Sequence, residues 1–130
     1  MPDFPAIAHV AVTVRDLDRS ATWYERLFGT EPVLDEDTGS FRHRVYALGG
    51  TLFGLHSHPT APGDDAFSAT DTGLDHVAFG VANRAALQEW VTTLDELGVE
   101  HGGIVDAHYG SGVSFKDPDG IALEFFAPPG

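Results

Sequence analysis

Cysteine is absent from the 130 residues, which excludes disulfide frameworks, thiolate nucleophiles, zinc fingers and iron–sulfur clusters together. Basic side chains are scarce: seven Lys and Arg stand against 20 Asp and Glu, for a formal charge of −13. No basic stripe is available to displace counterions from phosphates, so nucleic-acid binding is excluded, and attraction to an anionic membrane surface with it. No apolar run approaches the ~20 residues of a bilayer span. The opening Met1-Pro2-Asp3-Phe4 lacks a charged-then-apolar leader pattern, and a cytoplasmic protein is expected. A chain of this length fits one domain that buries ~65–70% of its unfolded surface without covalent staples. The acidity is read first as solubility, and it is also compatible with a surface that attracts a cationic ligand.

What the chain does contain is an internal repeat. Ile7-Ala8-His9-Val10-Ala11-Val12-Thr13-Val14 matches Leu74-Asp75-His76-Val77-Ala78-Phe79-Gly80-Val81 at an offset that also brings Trp23 onto Trp90 and Leu27 onto Leu94. Those are the only two tryptophans. The repeat divides the domain into module 5–58 and module 72–127, joined by a linker, 59–71, rich in Pro, Gly and Asp. Each module reads as a strand, a helix and then three strands, an α+β arrangement. The first helix is expected from about Asp18 to Phe28, with Asp16 or Asp18 as N-cap and Gly29 as terminator. The second has Asn83 as N-cap candidate, Gly98 as terminator and one apolar stripe of Leu87, Trp90, Val91 and Leu94. Turn chemistry at Thr38-Gly39, Gly49-Gly50 and Asp117-Pro118-Asp119-Gly120 separates the short strands that follow.

The first strands alternate. Val10, Val12, Val14 and Val77, Phe79, Val81 form bulky faces suited to packing under a helix. The opposite faces carry one histidine each, His9 and His76, and otherwise Ala, Thr or Gly, which leaves room for a cavity. A repeated histidine is compatible with a plain core residue or with a metal ligand. Glu124 weighs toward the ligand: it sits inside the apolar run Ile121-Ala122-Leu123-Glu124-Phe125-Phe126 with no Lys or Arg in that strand to pair with it. A buried carboxylate is costly unless paired or metal-bound. Two imidazoles and one carboxylate on inward-facing strands have the composition of a facial triad with open coordination positions.

These residues carry a family resemblance. His9-Val10-Ala11, Asp16-Leu17, Trp23-Tyr24-Glu25-Arg26-Leu27-Phe28-Gly29, Asp75-His76-Val77-Ala78-Phe79, Phe115-Lys116-Asp117-Pro118-Asp119-Gly120 and Leu123-Glu124 occur in the order and spacing of the vicinal oxygen chelate superfamily. The chain resembles this glyoxalase / bleomycin resistance protein / extradiol dioxygenase group over nearly its whole length. The resemblance implies paired βαβββ modules forming a curved mixed sheet around a cavity, commonly in a homodimer. It implies His9, His76 and Glu124 as ligands of a divalent metal, with Fe, Mn, Ni, Co and Zn all compatible, and Glu124 as the catalytic carboxylate. Glyoxalase-like members place a second carboxylate on the last strand of the first module. Alignment of the closing strands at Gly50 and Gly120 puts Gly54 in that slot, and His56, two residues on, is the candidate for a fourth ligand.

The implied function is a metal-dependent enzyme acting on a small molecule chelated through adjacent oxygens, whether as a glyoxalase-like lyase or isomerase, by dioxygenase-like chemistry, or by thiol addition to an epoxide. The alternative is a metal-free drug-binding resistance protein that sequesters a cationic ligand, with which the charge and Trp23, Tyr109, Phe115 and Phe126 are compatible. Substrate contacts are expected from Arg44 and Tyr46, which share a strand face with Arg42 and align with Ser114 and Lys116 when the closing alignment is carried back. If that face is concave, an anionic substrate follows. His108 and Tyr109, in a loop, and the aromatic Phe115 and Phe126 complete the expected substrate contacts.

Overall fold

A computed structural model describes residues 1–60 and 66–130. The chain divides into two compact units, Met1–Asp65 and Ala66–Gly130. Residues 61–65 of the expected linker lie outside the described residues; its remaining described positions carry no helix or strand.

The first unit opens with β1 (His9–Thr13) and α1 (Leu17–Phe28), followed by β2 (Leu34–Asp37), β3 (Arg42–Leu48) and β4 (Thr51–Ser57). Asp16 is the N-cap: its carboxylate accepts the Arg19 N–H at 3.1 Å, satisfying a donor that has no partner within the helix. Gly29 ends the helix at φ 67°, donating its N–H to the Glu25 carbonyl at 2.9 Å, a left-handed position that favours glycine. α1 buries Leu17, Ala21, Tyr24 and Leu27. Under it Tyr24, Phe28, Tyr46 and Phe53 pack with ring centroids 5.4–5.5 Å apart, a separation typical of favourable edge and offset ring contacts.

The second unit repeats the order with β5 (Val77–Gly80), α2 (Arg84–Glu96), β6 (His101–Ala107), β7 (Gly110–Lys116) and β8 (Ala122–Ala127). Asn83 caps α2 by accepting the Ala86 N–H at 2.8 Å. The predicted stripe is the packed one: Leu87 and Leu94 are fully buried, and Trp90 stacks on Phe125 at 4.2 Å. Phe115 lies against the other side of this cluster, stacked on Phe125 at 5.2 Å and 3% exposed.

Each unit forms a four-stranded mixed sheet, ordered β1-β4-β3-β2 and β5-β8-β7-β6. The first and last strands of each unit pair in parallel, Ala11 opposite Gly54 and Ala78 opposite Glu124. Gly54 is thus the structural counterpart of Glu124, as the closing alignment predicts. Carrying that alignment back through the hairpin fails by one residue. β3 and β4 are joined across Gly49-Gly50, and four residues, 48–51, separate the paired Ala47 and Leu52. Five residues, 117–121, separate the paired Lys116 and Ala122. The extra residue belongs to the Asp117-Pro118-Asp119-Gly120 turn. There the Gly120 N–H bonds to the Asp117 carbonyl, and the buried Asp117 carboxylate accepts the Asp119 and Ile121 N–H groups at 2.8 Å each. Ala47 therefore corresponds to Lys116, and Tyr46 to Phe115. A one-residue slip moves every side chain to the other face.

The outer strands are marked by charge and irregularity. β2 is exposed throughout and carries Asp35, Glu36 and Asp37. β6 loses register between His101 and Ile104, where Gly103 adopts φ 74°.

One surface clip joins the start of α2 to the end of β6. Arg84 donates to both Asp106 oxygens at 3.0 and 3.1 Å, and the Ser111 hydroxyl donates to one of them at 2.6 Å. Hydrogen bonds from Arg84 and Ser111, with the Arg84 charge, pull the Asp106 carboxyl down to about 2. The fold favours the ionised form, so the contribution is present above the ordinary 3.8 and lost as pH falls through about 2. In Arg84→Gln the Asp106 carboxyl, followed by carbon NMR, is expected to titrate closer to its ordinary value. Tyr46 supplies a second test. Its side chain is fully buried, its hydroxyl makes no hydrogen bond of good geometry among the described residues, and burial followed by the nearby Glu25 carboxylate drives its pKa upward. Tyr46→Phe is expected to keep or raise the stability measured by urea unfolding, with a change of no more than ~1 kcal/mol.

Candidate functional site

Strand register defines one face in each unit that points away from the helix. In the second unit the β8 residues on it are Ala122, Glu124 and Phe126. Ala78 and Gly80 of β5 and Lys116, Ser114 and Gly112 of β7 stand beside them. His76, one residue before β5, belongs to this face, with its Nε2 4.0 Å from Glu124 Oε2. The other ring nitrogen, Nδ1, lies 2.7 Å from the Asp75 carboxylate. A carboxylate only accepts, so in the neutral ring Nδ1 carries the proton and Nε2 keeps its lone pair on the Glu124 side.

Two neighbours, Ser114 and Gly112, confine the Glu124 carboxylate. Its side chain is 21% exposed, and the Ser114 hydroxyl donates to Oε2 at 3.5 Å. A Cβ at Gly112 would stand 3.0 Å from both the carboxyl carbon and Oε1, so the carboxylate rests against bare backbone. A His–Asp pair whose free nitrogen faces a carboxylate is the usual form of a metal ligand with its outer-shell partner. Two atoms 4.0 Å apart are too far for a hydrogen bond. An ion that both ligate at ~2.0–2.2 Å from adjacent coordination positions would draw them to ~3 Å, about 1 Å closer than they stand. On its donor chemistry, this pair fits a first-row divalent metal.

In the first unit the equivalent face carries His9 and Ala11 of β1, Leu52, Gly54 and His56 of β4, and His43, Val45 and Ala47 of β3. A Cβ built at Gly54 would meet the His56 ring at 3.5 Å from Cδ2 and Nε2. The imidazole thus leans over the position whose counterpart holds Glu124. Phe41 stacks on it at 4.8 Å, and the His43 ring lies 5.1 Å away. Burial first, then the neighbouring His43, His58 and His9, lower the pKa of His56. Its neutral form, the one that ligates metals, is favoured. His43 in turn pairs with Glu36 at 2.9 Å. Within either unit, among the described residues, no three His, Asp or Glu side chains are gathered closely enough to hold a metal ion as they stand.

Several expected substrate contacts lie elsewhere. Arg44 and Tyr46 point to the helix side: Arg44 bonds Asp18 of α1 at 2.9 Å and Asp35 at 3.1 Å, and Tyr46 belongs to the core. The longer second hairpin accounts for the misplacement. Phe115 is likewise a core residue under α2. Phe126, in contrast, shares the Glu124 face. Tyr109 stacks over it at 6.3 Å, and His108 meets Tyr109 edge-on at 5.2 Å. A Cβ at Gly110 would clash with the Phe126 ring, so the loop backbone closes directly on that aromatic. Asp75, Gly112 and Ser114 take up roles here that composition and repeat spacing alone do not give them. An acid directly before a ligand-type histidine, and a glycine and serine in register with Glu124, were the available signals.

The sequence model of the Glyoxalase/Bleomycin resistance protein/Dioxygenase superfamily matches residues 6–125. Among solved structures, the chain is similar to a glyoxylase/bleomycin resistance protein/dioxygenase domain from Frankia sp. EAN1pec, at 28% identity over 98% of this chain and 94% of that one, with a TM-score of 0.86. It shares its fold with the lactoylglutathione lyase from Agrobacterium tumefaciens, at 24% identity, 94% and 92% coverage and TM-score 0.72. The fosfomycin resistance protein FosX from Listeria monocytogenes has the same fold, at 19% identity, 98% and 94% coverage and TM-score 0.76. None of the curated proteins matches the chain.

The Gly112 contact gives a direct check on this geometry. Gly112→Ala is expected to fold, at a cost of ~1 kcal/mol, while displacing the Glu124 carboxyl, seen as a changed side-chain carbon resonance. Gly80→Ala, where a Cβ meets nothing within 4 Å, leaves that resonance in place.

Proposed function

Because the chain belongs to the Glyoxalase/Bleomycin resistance protein/Dioxygenase superfamily, we propose that it is a metal-dependent enzyme acting on a small molecule chelated through two adjacent oxygens. The ligands in this reading are His9, His76 and Glu124, with His56 as the fourth. The observation that carries it is the Asp75–His76–Glu124 arrangement: one imidazole nitrogen occupied by a carboxylate, the other left free beside a second carboxylate. Supporting it are the lowered pKa of His56 and the way its ring covers the bare Gly54 backbone.

A bound divalent ion would supply Lewis acidity, polarising the substrate oxygens. The protein's own part is positioning and proton handling. Asp75 orients His76, and Gly112 and Ser114 fix the Glu124 carboxylate. Glu124 can then take or return a proton at an oxygen beside the reacting group, the role of a general base. A small-molecule substrate and a homodimer are part of the same proposal. Lyase, isomerase, dioxygenase and transferase chemistries all fall within it, and the identity of the metal narrows them.

Elemental analysis of protein purified without chelator, followed by calorimetry with Mn, Fe, Ni, Co and Zn, tests the reading. The wild type is expected to bind one of these ions tightly. His76→Ala and Glu124→Gln should each weaken it ~10–100-fold or more, and loss of the orienting Asp75 in Asp75→Asn should weaken it ~10-fold. No bound metal and no stabilisation by any of the five would overturn the proposal. Saturable binding of a cationic glycopeptide by that metal-free protein would put a sequestering role in its place.

A further inference from the structure

Lys116 is the only lysine in the chain. Its six companions among the basic residues, all arginines, are engaged. Arg42 and Arg44 pair with Asp18 and Asp35 on the helix side of the first unit, and Arg84 with Asp106. Arg15, Arg19 and Arg26 also take part in interactions. Lys116 is exposed, with no ion pair or hydrogen bond among the described residues. In a chain of charge −13, a single uncommitted ammonium group stands out.

Its place in the sheet gives the charge a use. Lys116 pairs with Ala122, Ser114 with Glu124 and Gly112 with Phe126, so these residues form successive rows on one face, ~7 Å apart at two residues per row. Continuing the β5–β8 register one residue back from Val77 opposite Leu123 puts His76 in the row of Ala122 and Lys116. The small Ala122 lies between them. The His76–Glu124 pair therefore has a lone cation on one side along the strand. On the other side is an apolar wall made of Phe126 with Tyr109 stacked on it. Between the two ends, Ala78, Gly80 and Gly112 offer almost no side-chain bulk.

We propose that Lys116 is a specificity-determining residue that binds an anionic group of the substrate, a carboxylate or a phosphoryl group, while the Phe126–Tyr109 wall takes its apolar part. The substrate class is then a small organic acid with an apolar or aromatic body, its adjacent oxygens lying at the His76–Glu124 pair. The proposal rests on the reading of this face as the substrate face and narrows it. It also moves the source of anion recognition from Arg44, which is committed to Asp18 and Asp35, to a residue on the face that carries Glu124. The charged end selects among ligands because an acidic protein otherwise repels them. The flexible lysine stem lets the ammonium reach an oxygen of either geometry.

The test uses the full chain and three variants, Lys116→Gln, Lys116→Arg and Glu124→Gln, titrated at neutral pH by nitrogen–proton NMR. The probes are mandelate, its neutral counterpart mandelamide, and phenylphosphonate as the phosphoryl arm. Wild-type protein is expected to bind at least one anion better than mandelamide. Perturbed amides should fall in β7, β8 and the 107–110 hairpin. Lys116→Gln should weaken that anion ~10-fold and mandelamide less than ~2-fold, and Lys116→Arg should restore most of the loss. Whichever anion loses more names the group recognised. The inference is overturned if Lys116→Gln binds both anions as the wild type does, if it loses mandelamide equally, or if neither anion saturates the wild type at millimolar concentration. Metal uptake, measured separately on the same proteins, keeps the two readings apart. Lys116→Gln should hold metal as the wild type does, while Glu124→Gln should not. Anion discrimination without metal uptake would sink the metal enzyme and leave the lysine's role standing.

Discussion

Everything about the second unit's candidate site depends on one ladder, the parallel pairing of β5 with β8 that sets Ala78 opposite Glu124. A parallel pair cannot be closed by a hairpin, so the chain must travel through α2 and two further strands before β8 returns beside β5. The ladder brings residues nearly fifty positions apart into one row. It also decides which side of β8 each residue occupies. Leu123 and Phe125 go under α2 with Leu87, Leu94 and Trp90; Glu124 and Phe126 go to the open face. The carboxylate's position follows from the same alternation that builds the core. Any change that disturbs the Phe125–Trp90 stack acts on the site as well.

The first unit uses the same frame with different occupants. Where β8 has Glu124, β4 has Gly54, and the space is covered by an imidazole from two residues farther along. A glycine with the ring of the residue two positions on leaning over it delivers a nitrogen donor from the position where the other unit delivers an oxygen. The histidines gathered around His56 raise the cost of protonating it, and Phe41 removes one of its ring faces from water. Both effects keep the ring neutral.

Much of this was legible in the sequence. The repeat, both helices with Asn83 and Asp16 at their starts, the Leu87–Leu94 stripe and the family all follow from local patterns, because caps, amphipathic spacing and turn residues act over a few positions. The equivalence of Gly54 with Glu124 was legible too, since both follow a glycine turn by the same count. What failed was the extension from β4 back to β3. Turn length is set by how Asp117 folds its carboxylate onto two backbone N–H groups, and repeat spacing does not reveal that. One residue of difference was enough to turn Arg44 and Tyr46 inward. Phe115 was misread for a related reason: an aromatic two residues before the turn is equally compatible with either face until a register is known. Asp75 and Gly112 act through contacts across one or two strands, which composition does not encode.

The acidic outer strand has a consequence for the protein in concentrated solution. β2 ends its sheet with unpaired backbone groups, a shape that invites another chain to add a strand. Asp35 and Glu36 sit in that strand with Asp37, all exposed. A second copy approaching edge to edge would bring two runs of three carboxylates within a few ångströms. In the second unit's sheet the interruption of β6 near Gly103 breaks the straight ladder that a newcomer would need. The surplus of negative charge at β2 thus acts on an exposed sheet edge, and it opposes growth of the fold into a longer sheet at that edge.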